Sequence, residues 1–137
     1  MEEINNMMAI LIVDDSPTMR RVIKKFLINN EFSNFFEAGD GEQALIILQN
    51  ESIDLIISDL NMPIMDGLTF LGKVKKNPAT KDIPFIILTV EAIQKTMNRA
   101  IALNVDSYIV KPVTEKVFMH EMFRVIQSRG NDYDSLL

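Results

Sequence analysis

The sequence predicts an α/β fold, in which one doubly wound parallel sheet of five strands carries five helices on its two faces. Three observations predict it. Five short apolar runs alternate with five longer amphipathic stretches, which is the pattern of successive βα units. Three of these runs are continuously apolar, as are strands that are buried on both faces of a parallel sheet. The length of 137 residues suits one domain of ordinary size.

The predicted elements follow one another along the chain. The apolar runs predict strands at 8–13, 35–38, 55–58, 85–88 and 107–110. Apolar spacings of three and four residues predict helices at about 17–30, 41–50, 67–76, 92–103 and 114–127. Ser16, Asp40 and Asp66 are predicted N-caps, and Pro17 suits the first position of the first helix. We therefore expect a domain at residues 8–128, with short flexible ends at 1–7 and 129–137.

Composition excludes several classes of protein. The absence of cysteine excludes disulfide scaffolds, thiolate metal sites and cysteine nucleophiles, and a single histidine, His120, excludes multi-histidine metal centres. A net charge of −5 does not favour direct binding to nucleic acid. The apolar runs are too short for a membrane span, and the acidic, polar start of the chain is unlike a signal peptide. We expect a cytoplasmic protein.

Acidic residues directly follow two of the predicted strands. Asp14 and Asp15 come after the first strand, and Asp59 comes after the third. In open α/β sheets, ligands bind beyond the carboxyl ends of the strands, where the strand order reverses. If the strand order is 2-1-3-4-5, the first and third strands are neighbours, and the three carboxylates would converge. Such an all-oxygen site suits Mg²⁺, with Mn²⁺ as an alternative.

Polar side chains also end the fourth and fifth strands, where Thr89 and Lys111 stand. An aspartate can attack phosphorus and become an aspartyl phosphate. Lys111 and a metal ion would neutralise charge on the transferred group, and Thr89 would donate a hydrogen bond to it. The set predicts a phosphoryl acceptor at Asp59.

These residues belong to motifs that resemble a known family. The motifs are Val13-Asp14-Asp15-Ser16, Ser58-Asp59-Leu60-Asn61-Met62-Pro63, Met65-Asp66-Gly67, Leu88-Thr89 and Lys111-Pro112. As an ordered set, each at a strand end, they resemble the receiver domain of two-component response regulators. Within that family the chain is most similar to stand-alone chemotaxis regulators of the CheY type. The resemblance covers residues 8–128 and implies the flavodoxin-like sheet order 2-1-3-4-5.

The resemblance implies a metal site and an acceptor. Asp59 would accept the phosphoryl group. Asp14, Asp15 and the backbone carbonyl of Asn61 would bind Mg²⁺ together with Asp59, and Asp15 would bind it more directly than Asp14. The Lys111-Pro112 peptide bond is expected to be cis, a geometry that is essentially confined to proline.

The resemblance also implies roles for the residues around the acceptor. Thr89 and Lys111 would bind the phosphoryl oxygens. Tyr108 would be an aromatic switch that turns inward when Thr89 is drawn towards the phosphate. Val90 is larger than the residue usual in the family, and its bulk would slow entry of the phosphodonor. The positions that would tune the chemistry are Asn61, Val90 and Glu91.

The implied function is a signalling switch, not an enzyme acting on a separate substrate. A histidine kinase would phosphorylate the protein, the surface formed by the fourth helix, fifth strand and fifth helix would rearrange, and a partner protein would bind. Chemotaxis, with a flagellar motor switch protein as partner, is the preferred version. The alternative is a phosphorelay intermediate that passes the group to a histidine phosphotransfer protein. We expect no output domain after the fifth helix, and a monomer or weak dimer.

Two other classes of protein share part of the pattern. Haloacid-dehalogenase-like phosphatases also use an aspartate nucleophile, but they need a second aspartate two residues later, where this chain has Asn61. Flavodoxin-like flavin carriers have a phosphate-binding loop rich in Ser, Thr and Gly after the first strand, and this chain has none there.

Six of the site residues also have a purely structural interpretation. Asp59 could be a turn residue ahead of Pro63. Asp14 and Asp15 could cap the first helix, and Thr89 could cap the fourth. Lys111 could be a solvated surface lysine. Tyr108 could be a packed strand aromatic with no switching role.

Overall fold

A computed structural model of the chain describes residues 2–128, which form one five-stranded parallel sheet of order β2-β1-β3-β4-β5. The strands are β1 (Ala9–Val13), β2 (Asn34–Ala38), β3 (Leu55–Ser58), β4 (Phe85–Thr89) and β5 (Ser107–Val110). The number, order and parallel direction of the strands confirm the predicted fold class. The end predicted at 129–137 lies outside the described residues.

Within residues 2–128, six helices connect and flank the strands, against five predicted. They are α1 (Glu2–Met7), α2 (Pro17–Ile28), α3 (Gly41–Asn50), α4 (Gly67–Lys76), α5 (Gln94–Ala102) and α6 (Glu115–Ser128). The last five lie within two residues of their predicted bounds. None of the helices between residues 2 and 128 is both long and apolar enough to span a bilayer.

The additional helix is α1, which occupies most of the segment that the sequence analysis expected to be a flexible end. Asn5 is buried, and its side-chain amide donates a 3.0 Å hydrogen bond to the carbonyl of Asn30, just beyond the end of α2. Carbonyls at helix ends lack partners within the helix. Met8, which follows α1, is fully buried. Six residues are too few to show an apolar period, so α1 was not predictable from its pattern.

The predicted N-caps are confirmed. Ser16, Asp40 and Asp66 each accept a hydrogen bond from a backbone N–H in the first turn of the helix that follows. The helix predicted from Thr114 begins one residue later at Glu115, because the Thr114 hydroxyl oxygen accepts a hydrogen bond from the Val117 N–H and so acts as the cap.

The core lies on both faces of the sheet, as the continuously apolar strands require. Along β1, Ile10 and Ile12 pack into a cluster with α2 and α6, while Leu11 and Val13 pack into a second cluster with α3, α4 and α5. Successive strand side chains point to opposite faces, so a strand covered on both faces is apolar throughout. Each such aliphatic side chain stabilises the fold by about 2 kcal/mol.

Candidate functional site

Backbone hydrogen bonds just beyond the strand ends bring the predicted site residues together. The Asp59 N–H donates to the Val13 carbonyl at 2.9 Å, which places the residue after β3 beside the end of β1. The Lys111 N–H donates to the Thr89 carbonyl at 2.7 Å, which places the residue after β5 beside the end of β4. The Lys111-Pro112 peptide bond is cis, as expected.

Three carboxylates meet at this edge of the sheet. One oxygen from each of Asp14, Asp15 and Asp59 lies within 4.8 Å of the other two, and no second group of three or more metal-ligating side chains occurs in the described part of the chain. Asp14 is buried, Asp59 is partly buried and Asp15 is exposed. Anionic oxygen donors with one side open to water fit Mg²⁺, which keeps several water ligands. The donor set therefore fits the predicted ion.

Lys111 lies among these carboxylates. Its Nζ is 3.2 Å from Asp14 Oδ2 and 3.6 Å from Asp59 Oδ2, and its side chain is only 14% exposed. The interpretation of Lys111 as a solvated surface lysine is therefore wrong.

Asp14 is held in a site that disfavours its charge. Burial raises the pKa of the Asp14 carboxyl, and the nearby negative charge of Asp59 raises it further. The Ser16 N–H and the Lys111 ammonium lower this pKa, but they do not outweigh burial. A cation beside Asp14 would relieve this penalty.

The capping interpretations of Asp14 and Thr89 are also wrong. Asp14 Oδ1 accepts from the Ser16 N–H at 2.9 Å, while Ser16 itself caps α2. Thr89 is fully buried, and its hydroxyl oxygen accepts a 3.3 Å bond from the Glu91 N–H. The N-cap of α5 is Ile93, which makes no side-chain capping bond.

Glu91 links several predicted site residues. The Tyr108 hydroxyl donates a 2.7 Å hydrogen bond to its backbone carbonyl, and the Thr96 hydroxyl donates a 3.3 Å bond to its carboxylate. Burial is the main cause that raises the pKa of the Tyr108 phenol, followed by the negative charges of Glu91 and Asp59. From the sequence, Glu91 was expected only as a tuning position. Because the acceptor is a backbone carbonyl, which every residue has, no sequence signal revealed this link.

Asn61 and Val90 lie at the edge of the site. Asn61 is exposed and lines a small open cavity of about 170 Å³ together with Asp66 and Glu91. The Val90 side chain lies largely in solvent, with 66% of the residue exposed. The metal-binding role of the Asn61 carbonyl and the tuning role of Val90 stay predictions.

Gly67, which belongs to the motif Met65-Asp66-Gly67, has a structural role in the site that the sequence did not indicate. Its N–H donates a 2.8 Å hydrogen bond to the Leu60 carbonyl. A Cβ at this position would lie 2.2 Å from the carbonyl oxygen of Asp59 and 2.7 Å from Leu60 Cα. Only glycine lets the first turn of α4 approach the backbone of Asp59 so closely.

Comparison with known proteins identifies similar chains. The family profile described as the response regulator receiver domain matches residues 10–123. The chain is 38% identical over 120 residues to the chemotaxis protein CheY of Pseudomonas aeruginosa, covering 88% of this chain and 97% of that one. It is 36% identical over 124 residues to CheY-3 of Vibrio cholerae, covering 90% and 95%.

A solved structure has the same fold as this chain. The chemotaxis response regulator CheY4 of Vibrio cholerae superposes with a TM-score of 0.78 at 32% identity, covering 86% of this chain and 98% of that one.

Proposed function

The chain belongs to the response regulator receiver family, and from this premise we propose that it is a stand-alone switch, with a receiver domain at residues 8–128, that a histidine kinase phosphorylates on Asp59. The observation that carries the proposal is the convergence of three carboxylates and the Lys111 ammonium at the carboxyl ends of the strands. Asp59 alone of the three follows β3, and its Oδ1 is held by the Leu60 N–H at 2.7 Å.

The proposed reaction is a transfer of a phosphoryl group between side chains. A carboxylate oxygen of Asp59 attacks phosphorus, and a new O–P bond forms. The P–N bond to the donor histidine breaks, and its electron pair stays on the imidazole, which takes up a proton from solvent. Later a water molecule attacks the phosphorus, which releases inorganic phosphate and restores the carboxylate.

The residues around Asp59 have distinct tasks in this step. Lys111 lies close enough to neutralise charge that builds up on the phosphoryl oxygens. Thr89 lies buried at the end of the adjoining strand, where its hydroxyl oxygen accepts from the Glu91 N–H and its O–H is available to donate to a phosphoryl oxygen. Asp14, Asp15 and Asp59, with the Asn61 carbonyl, would hold Mg²⁺. When bound, that ion supplies positive charge that offsets carboxylate repulsion and draws in the phosphoryl group.

Intact-mass spectrometry after incubation with acetyl phosphate and Mg²⁺ tests the acceptor. We expect the wild type to gain one phosphoryl group, Asp59→Asn to gain none, and chelation of the metal to suppress labelling. Asp82→Asn is the matched control, since Asp82 is an exposed aspartate before β4, at the other end of the strands, and it should label like the wild type. A phosphoryl adduct that persists in Asp59→Asn would place the acceptor elsewhere.

The proposed output surface is formed by α5, β5 and α6. An open groove of about 490 Å³ lies on the part of this surface that β5, α6 and the segment between them form, lined by Tyr108, Val110, Pro112, Val113 and Val117 among others. Tyr108 borders this groove and bonds to the Glu91 carbonyl, so it joins the phosphorylation loop to the surface. In α5, Ala100 is the one buried residue, so little packing holds that helix in place. These features support a surface that rearranges on phosphorylation.

Chemotaxis is the proposed process, because the relatives above are named as chemotaxis proteins. The proposed partner is a flagellar motor switch protein in the cytoplasm. Phosphorylation-dependent binding to such a protein supports this version. Reversible transfer of the phosphoryl group to a histidine phosphotransfer protein, without that binding, supports the phosphorelay alternative.

The proposal also predicts the absence of phosphatase turnover. The phosphatase alternative needs a carboxyl general acid two residues after the nucleophile, and Asn61 has an amide there. We expect no multiple turnover of a generic phosphomonoester in the presence of Mg²⁺, and rapid turnover would contradict the switch.

A further inference from the structure

We propose that Arg20 is a positioning residue for the metal site. Its guanidinium bonds to Glu37 and to the backbone carbonyl of Asp14. These bonds fix the conformation of the loop that carries Asp14 and Asp15. This inference rests on the proposed function of that site. Arg20 acts on the metal site through the backbone carbonyl that it holds, and not through its positive charge.

The Arg20 side chain bonds once to the loop and once to the neighbouring strand, and its backbone forms the first hydrogen bond of α2. Its Nη1 donates to the Asp14 carbonyl, and its backbone N–H donates to the Ser16 carbonyl at 3.1 Å. Its Nε donates to Glu37 Oε1 on β2 at 3.0 Å. The side chain is only 19% exposed. The planar guanidinium has donors in a fixed fork, so it can serve two acceptors at once, which an ammonium on a flexible stem does poorly.

The contact bears most on Asp15. The Asp14 carboxylate is already held by the Ser16 N–H and by Lys111. The Asp15 carboxylate has no hydrogen bond or ion pair within residues 2–128, so its direction depends on its backbone. The Asp14 carbonyl and the Asp15 N–H belong to one planar peptide unit. By holding that carbonyl, Arg20 orients the peptide unit from which the Asp15 side chain departs.

Positioning and simple charge predict opposite effects on metal affinity. Arg20 carries a positive charge beside an acidic cluster, so its removal would strengthen Mg²⁺ binding if charge alone mattered. If Arg20 preorganises the loop, its removal weakens binding, as the loss of groups that orient metal ligands does. The sign of the change therefore separates the two explanations.

Lys24 offers a matched control. It lies on α2, four residues after Arg20, and its Nζ bonds to the other oxygen of Glu37 at 2.9 Å. Among residues 2–128 its ammonium bonds to Glu37, and it does not bond to the Asp14 carbonyl. Lys24→Ala therefore removes the same charge and a bond to the same anchor without touching the loop.

Calorimetric titration with Mg²⁺ tests the proposal on the wild type, Arg20→Ala, Arg20→Lys and Lys24→Ala. We expect Arg20→Ala to weaken binding about tenfold, Arg20→Lys to fall between it and the wild type, and Lys24→Ala to bind like the wild type. Equal or tighter binding by Arg20→Ala, an equal loss in Lys24→Ala, or no binding by the wild type overturns the proposal. If circular dichroism shows that Arg20→Ala is unfolded, the Mg²⁺ affinities of Arg20→Lys and Lys24→Ala are compared instead. We then expect weaker binding by Arg20→Lys, and equal binding by the two variants overturns the proposal.

A second readout separates this inference from the proposed function. The rate at which acetyl phosphate labels Asp59 is measured against Mg²⁺ concentration. Arg20→Ala should raise the half-saturating Mg²⁺ concentration about tenfold and leave the rate at saturation unchanged, whereas general damage to the fold would lower the rate at every concentration. A wild type that binds Mg²⁺ but takes no phosphoryl group refutes the proposed function alone. A labelled wild type whose Arg20→Ala variant binds Mg²⁺ normally refutes the positioning role alone.

Discussion

The phenol of Tyr108 donates a 2.7 Å hydrogen bond to the backbone carbonyl of Glu91. The bond joins the last strand of the sheet to the loop that follows Thr89, and the Glu91 N–H in turn donates to the Thr89 hydroxyl. A side chain at the proposed output surface is thus two hydrogen bonds away from a buried hydroxyl at the phosphorylation site.

Tyr108→Phe removes this bond and keeps the ring. We expect the free energy of unfolding to fall by about 1 kcal/mol at pH 7, the usual net value of one hydrogen bond. Because the pKa of Tyr108 is raised above its ordinary value of 10.0, this contribution is fully present below that value and is lost as pH rises through the raised pKa. Urea unfolding measures the first effect.

The phenol itself can be followed by alkaline titration of tyrosine absorbance. Tyr108→Phe should remove a titration step whose pKa lies above the ordinary value of 10.0. Loss of a step at or below that value instead would contradict the raised pKa of Tyr108.

Gly67→Ala should damage the site, while Gly72→Ala in the same helix should not. A Cβ at Gly67 would overlap the Asp59 carbonyl oxygen, whereas a Cβ at Gly72 meets nothing within 4 Å. We expect Gly67→Ala to lower the free energy of unfolding by about 2 kcal/mol and to slow labelling of Asp59. Gly72→Ala should raise it by up to about 1 kcal/mol, because alanine favours helix.

Urea unfolding and acetyl phosphate labelling of the two glycine variants measure these effects. Equal behaviour of the two variants would show that the close approach of α4 to Asp59 is unimportant.

Asp14→Asn should stabilise the metal-free protein at neutral pH. Burial raises the pKa of Asp14, so the folded state holds the proton more tightly than the unfolded state. In the wild type, the tighter binding of this proton stabilises the folded state at pH values below 3.8, the ordinary pKa of an aspartate. That stabilisation is lost as pH rises through the raised pKa of Asp14. An uncharged amide avoids that loss, and we expect a gain of about 1 kcal/mol at pH 7.

Chelator-treated proteins unfolded in urea at pH 7 and at pH 3.5 check this prediction. The difference between Asp14→Asn and the wild type should shrink at the lower pH. Added Mg²⁺ should stabilise the wild type more than the variant, since binding to the folded state alone adds to its stability. A variant that is less stable than the wild type in chelator at pH 7 contradicts the account.

Val90→Ala should speed labelling by small phosphodonors. Val90 directly follows Thr89 and is 66% exposed, and we expect removal of its two methyl groups to widen the approach to Asp59. We expect a gain in rate of less than about tenfold, equivalent to 1.4 kcal/mol. Labelling time courses with acetyl phosphate measure it, and equal rates for the two proteins would remove Val90 from the set of tuning residues.

Much of the site was predictable because its parts are local in the sequence. Asp14, Asp59, Thr89 and Lys111 each end or directly follow an apolar run, and the ends of adjacent parallel strands meet in space. Side-chain type and distance from a strand end were enough to group them. Asp15 joined the group by adjacency to Asp14, and its oxygen lies with the other two.

Apolar periodicity and side-chain type at element ends were therefore enough to predict the sheet, five of the six helices between residues 2 and 128, three of their N-caps and the acidic residues that follow β1 and β3. Four contacts depend on how these elements pack in three dimensions: α1 forms against Asn30, Tyr108 bonds to Glu91, Arg20 holds Asp14, and α4 closely approaches Asp59. Each of these contacts ends on a backbone carbonyl or backbone atom. Such atoms are the same in every residue, so their partners are chosen by the packing of elements and not by any pattern of side chains along the chain.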